Sequence, residues 1–76
     1  MFTAKDLQDR MTAKPFHPFK IHLSDGTEYT IENHDTAMVG RNAIEIGLNH
    51  DPDGVAEKFV RCAIIHITRI EDLQPA

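Results

Sequence analysis

Turn-forming residues interrupt this chain every few positions, and that spacing caps the length of any element it can form. They fall at Lys14-Pro15, Ser24-Asp25-Gly26, Asn33-His34-Asp35, Gly40-Arg41-Asn42 and Asn49 to Gly54. Between them lie one stretch with helical periodicity and several short runs in which apolar and polar residues alternate. Runs of that kind predict an all-β barrel or sandwich with a helix at its start. The 76 residues predict one domain, residues 1–76. A domain this small buries only about 60% of the surface its unfolded chain exposes. So thin a core gains from assembly, a metal or disulfides. Cys62 is the only cysteine, so no disulfide closes within the chain and Cys-rich zinc sites are excluded.

The opening segment predicts a helix over about residues 3–13. Thr3 suits the N-cap, Asp6 stands three residues on in the capping-box position, and Phe2 and Leu7 occupy the staple positions. Leu7 and Met11 fall on one face, while Asp6, Asp9 and Arg10 stay polar. Pro15 turns Lys14 away from helical angles and ends the helix near Ala13. A helix of about ten residues does not hold alone in water and must dock on the remainder.

Strands are expected at about 18–24, 27–33, 36–39, 43–48 and 55–70, the last with a bend, before a frayed tail at 71–76. Register follows from which residues must share a face. A two-residue Asp25-Gly26 turn sets Leu23 opposite Glu28 and mixes the faces. A three-residue Ser24-Asp25-Gly26 loop sets Ile21 opposite Tyr29 and Phe19 opposite Ile31, with Gly26 at the left-handed position of a G1 bulge. The longer loop is preferred. The same reasoning at Gly40-Arg41-Asn42 predicts Met38 opposite Ile44 and Thr36 opposite Ile46. The alternation slips at Ile64-Ile65, where a bend or a single 3-10 turn would join two short strands. The expected core is Phe19, Ile21, Leu23, Tyr29, Ile31, Met38, Ile44, Ile46, Phe59, Ile64, Ile67 and Ile70, closed by Leu7 and Met11 from the helix.

A helix followed by five short, bent antiparallel strands resembles the Sm-like barrel of Sm, LSm and Hfq-type proteins. Ile21-His22-Leu23-Ser24-Asp25-Gly26, followed by Tyr29 and Ile31, is similar to that family's first hairpin, and Asp35 sits near the aspartate before its third strand. Ile64 to Ile70 is similar to its last two strands. The stretch from Pro15 to Gly26, PFHPFKIHLSDG, also resembles a PFxPFxIxLSDG signature of short uncharacterised bacterial proteins. The resemblance implies a mainly β fold, a small bent five-stranded antiparallel Sm-like or SH3-like barrel with an N-terminal α-helix, and assembly into rings. An open arrangement of hairpins and helix is the alternative. Ile31 stands where the family has a bending glycine, and Met38-Val39 where its uridine-contacting asparagine is sought. The resemblance therefore implies a fold and no RNA-contacting residue.

Chemistry-bearing motifs are sparse. His17, His22, His34, His50 and His66 follow no metal-ligand spacing, so neither metal nor cofactor is expected. Protonating all five would move the net charge from −4 to +1, enough to alter self-association near pH 6. Cys62 lies in an apolar run and reads as a structural thiol. Ser24, the only serine, belongs to a turn, and Asp51-Pro52-Asp53-Gly54 lacks the closing glutamate of a calcium loop. No enzyme activity is expected. Lys20, Arg41, Arg61 and Arg69 are the candidate nucleic-acid contacts, but the acidic total and the scarcity of stacking aromatics oppose RNA binding.

No apolar run approaches the roughly 18–20 residues that cross a bilayer, and the start has no apolar h-region. The expectation is a cytoplasmic, non-enzymatic module that self-assembles through strand edges, with a separate protein as another possible partner. A divergent Sm-like RNA binder is the alternative.

Overall fold

The computed structural model describes residues 1–73. Helix α1, Ala4–Thr12, begins with the expected reciprocal cap. The Asp6 amide donates to Thr3 Oγ1 at 3.1 Å, and the Thr3 amide donates to Asp6 Oδ2 at 2.8 Å. Such a cap contributes about 1 kcal/mol. Leu7 and Met11 are buried, and the chain leaves helical angles at Ala13. Arg10 lies over the ring of Phe19, 5.3 Å from its centroid. No helix among the described residues is long and apolar enough to cross a membrane.

Six strands follow: β1 Phe19–Leu23, β2 Glu28–Ile31, β3 Ala37–Val39, β4 Ala43–Leu48, β5 Lys58–Ala63 and β6 Ile67–Asp72. They form two three-stranded antiparallel sheets, ordered β2-β1-β6 and β3-β4-β5. The first hairpin has the expected register, Phe19 opposite Ile31 and Ile21 opposite Tyr29. Its loop is Ser24-Asp25-Gly26, closed by the Leu23 amide donating to the Thr27 carbonyl at 2.9 Å, with Gly26 at φ +90°. Asp25 Oδ1 accepts from both the amide and the hydroxyl of Thr27 and stiffens that loop.

The five-stranded closed barrel is not what forms. The turn read at Asn33-His34-Asp35 forms, and both the amide and the hydroxyl of Thr36 close it by donating to the Asn33 carbonyl. No ladder carries β2 into β3. At the other end, the expected 55–70 strand divides. The 3-10 turn Ile64–His66 leaves β5 on β4 and sends β6 to β1, which makes the sixth strand and the second sheet. Glu71 and Asp72, expected in a frayed tail, lie in β6; the last three tail residues, 74–76, fall outside the described residues.

The second hairpin is shifted by one residue from expectation. Gly40 donates to the Ala43 carbonyl at 2.7 Å, so the loop is only Arg41-Asn42. Met38 then faces Glu45, while Ala37 faces Ile46 and Val39 faces Ile44. A one-residue slip moves every side chain to the other face, and Met38 is 75% exposed. Phe59 is 67% exposed for a related reason: it sits opposite Gly47, on the outer face that also carries Glu45 and Arg61. Neither belongs to the core.

The core lies between the sheets. Phe19, Ile21 and Ile31 from the first sheet, Ile44, Ile46 and Cys62 from the second, Leu7 and Met11 from α1, and Ile64 and Ile67 at the crossover are buried together. Leu23, Tyr29 and Ile70 are partly buried against them. The observed register makes a contrast that unfolding midpoints can check. Ile44→Ala should cost about 2–5 kcal/mol, while Met38→Ser should change stability by about 0.5 kcal/mol or less. Equal losses at the two positions would contradict this register.

Candidate functional site

The two sheets present very different outer faces. On the first, alternation within β1 turns Lys20 and His22 away from the core, and the ladders set Glu28 and Thr30 on one side of them and Arg69 and Glu71 on the other. A bulge between His22 and Leu23 shifts the β1–β6 register, and the Thr68 hydroxyl donates to the His22 carbonyl there. His22 is the hub of this face. Its Nδ1 lies 3.4 Å from Glu28, and its Nε2 lies 3.0 Å from Glu71 and 3.1 Å from Arg69. Neutral His22 accepts from Arg69 and donates to Glu28; protonated His22 donates to both carboxylates. Lys20 closes the array on Glu28 at 3.1 Å, and its hydrogen bond and charge hold the Glu28 carboxyl below its ordinary range.

The second sheet's outer face is nearly free of such pairing. Met38 lies at one edge and Phe59 at the other, with small residues Ala43, Gly47 and Ala63 among them. Among the described residues its one ion pair is Glu45 with Arg61, 3.0 Å apart. Over Gly47 the chain is close: an added Cβ would meet Ala56 Cβ and His50 Nε2, both at 3.0 Å. Glycine at this position lets the 49–57 loop return across the sheet.

The free edges differ as much as the faces. β2 is flanked by Glu28 and Glu32, and β6 carries Arg69, Glu71 and Asp72, the kind of charge that keeps an edge from pairing. β3 has three residues and α1 packed on it. β5 has six residues, with Phe59 second and Val60 and Arg61 at its middle. The Ile64 amide donates to the Asn42 carbonyl, and the Gly47 amide to the Thr36 carbonyl. In an antiparallel ladder this phase points the backbone groups of Lys58, Val60 and Cys62 at β4. Those of Phe59 and Arg61 point off the open edge.

Two concavities complete the surface. A cleft of about 540 Å³ between the 32–36 and 49–54 segments is lined by Glu32, Asp35, His50 and Asp51 among others. A groove between the first hairpin and β5 holds Ser24, Asp25, Cys62 and His66. Ser24 Oγ lies 3.3 Å from His66 Nδ1, but the Asp25 carboxylate is taken by Thr27, so nothing there orients the imidazole. Burial pushes the Cys62 thiol up, with the Asp25 charge adding to it, which disfavours the thiolate. Among the described residues, no group of three or more His, Cys, Asp or Glu side chains is placed to hold a metal ion.

The four basic residues singled out from sequence do not form one patch. Lys20 and Arg69 share the first sheet's face, where each lies against a carboxylate. Arg61 is on the second sheet with Glu45, and Arg41 is in the β3–β4 turn. Sequence reasoning missed the exposed Phe59. The signal was present, since a side chain two residues from the outward Arg61 in a strand must share its face. No family model, curated protein or solved structure matches the chain.

Several carboxylates bind partners only when ionised. Thr3 lowers the Asp6 pKa, Thr27 that of Asp25, Lys20 that of Glu28 and Arg10 that of Asp72. A carboxylate whose folded pKa is depressed stabilises fully above its unfolded value, about 4, and loses that contribution as pH falls through the folded value. The unfolding midpoint should therefore drop on acidification below about pH 4. Asp72→Asn should shrink the drop. A midpoint that holds or rises below that pH would contradict the assignment.

Proposed function

We propose that this chain is a non-enzymatic interaction module of the cytoplasm that assembles with copies of itself through a free strand edge. The observation that carries the reading is β5. It is one of the longest strands, its outer edge is unpaired among the described residues, and it carries an exposed phenylalanine at its second residue. Unpaired strand edges template further pairing unless they are blocked, and the other three edges are charged or covered. The lone free Cys62 suits a reducing compartment.

RNA binding has less support. Lys20, Arg61 and Arg69 are each engaged by glutamate, and the face around His22 alternates in sign.

Light scattering of the purified protein tests the reading. The expected mass exceeds that of the 8.6 kDa chain and rises with concentration. A mass that stays monomeric across about a hundredfold range of concentration would contradict it. An absorbance ratio showing co-eluting nucleic acid would favour the RNA alternative instead.

A further inference from the structure

The ring nitrogen of His22 that meets Glu71 also meets Arg69, and it cannot bond both at once. We infer that His22 is a proton-operated switch: while neutral it holds the Arg69 guanidinium on the first sheet's outer face, and once protonated it exchanges that group for the Glu71 carboxylate. The inference goes beyond the self-assembly reading and does not depend on it, since it uses no part of β5.

The conflict lies at Nε2. Glu71 Oε1 stands 3.0 Å from it, and an Arg69 terminal nitrogen 3.1 Å. With a lone pair, Nε2 accepts from the guanidinium and repels the carboxylate. With a proton, it donates to the carboxylate and repels the guanidinium. The other tautomer offers no way out. A neutral ring with its proton on Nε2 would aim that N–H at Arg69, and would leave the guanidinium only Nδ1 at 3.5 Å, the far end of hydrogen-bonding range. A proton on Nδ1 is instead met by Glu28, 3.4 Å away. Neutral His22 therefore carries its proton on Nδ1 and leaves Nε2 to Arg69.

Exposure decides which group gives way. The His22 side chain is 17% exposed and stands on the middle strand of its sheet, whereas the Arg69 side chain is 64% exposed on an edge strand. The guanidinium is the part that moves. Glu71 lies 3.8 Å from it, and a carboxylate accepts from more than one donor, so Arg69 has a place to go when the ring is protonated. The charged groups packed against the ring are Lys20 on its own strand, Glu28 from β2, and Arg69 and Glu71 from β6. Two cations balance two anions. One proton on the ring tips that balance to a net positive charge while freeing an arginine at the surface. Imidazole is the side chain whose charge ordinarily changes near neutral pH, which puts this exchange within reach of physiological acidification.

Long-range proton–nitrogen correlation spectra of the labelled protein read both ends of the switch. At about pH 8 the His22 ring should carry its proton on Nδ1, with Nε2 bare. Between about pH 8 and pH 5 the second nitrogen should gain its proton, and the side-chain resonances of Arg69 should shift with the same midpoint. Arg69→Ala should return the neutral ring to the Nε2–H form, which donates to Glu71. His22→Gln should abolish the Arg69 shift over the same range. Circular dichroism checks that both variants are folded, and the parent spectra decide the matter if either is not.

A ring that carries its proton on Nε2 in the parent at about pH 8 would overturn the inference. So would Arg69 resonances that stay still while His22 titrates, or an Arg69 shift that persists in His22→Gln, because the response would then belong to another group.

Discussion

Neither sheet of this protein can stand without the other, and the burial of one apolar face against the other is what the whole structure depends on. Each sheet has only three strands and one inward face, and sheets of that size need a partner surface to be stable. Phe19, Ile21 and Ile31 supply one half of the contact, and Ile44, Ile46 and Cys62 the other. Five of these six side chains are fully buried, each contributing about 1.5–3 kcal/mol relative to exposure. The helix closes the margin with Leu7 and Met11, and Arg10 fastens it by reaching Asp72 in β6 while lying over Phe19.

The chain crosses between the sheets twice, through the 32–36 turn and through the 3-10 turn at Ile64–His66, and the second crossing is the tighter. It buries Ile64 and Ile67 on either side of the crossover while redirecting the chain by one strand pairing. Two backbone bonds tie it down, Ile64 to Asn42 of the second sheet's turn and Ser24 to His66 from the first hairpin. The crossover therefore does in three residues what a bent, continuous second strand would do in a closed barrel. The consequence is that edges remain, and the protein has to block them or use them. Charged side chains guard β2 and β6, α1 packs on β3, and β5 is left open.

Much of this was legible in the residues, and what was not has a physical reason in each case. The helix cap and the first hairpin were readable because Thr3, Asp6 and Gly26 leave little choice of geometry. The second hairpin was misread because Gly40 resembles a loop residue, yet its amide pairs with Ala43 and leaves a two-residue loop. That single residue of register decides whether Met38 is core or surface. Closure into a barrel was expected from the number and spacing of short strands, whereas it depends on which strands pair. The turn at Asn33-His34-Asp35 was readable, but that β3 leaves β2 for a second sheet is a matter of long-range pairing, of which alternation of polarity carries no trace.

The charged face around His22 was half visible. Its pairing with Glu28 follows from the hairpin register, but Arg69 and Glu71 reach it only because β6 returns to β1, a contact between residues far apart in the chain. The open edge of β5 was likewise hidden, since an edge is a property of the finished sheet order. The account stands on that edge being free within one chain, and amide hydrogen exchange along β5 tests it most directly. At low concentration, Val60 and Cys62 should be protected and Phe59 and Arg61 should exchange fast, with the latter pair slowing as concentration rises. Protection of Phe59 and Arg61 that is strong and independent of concentration would contradict the account, because it would mean that the edge is already paired within the chain.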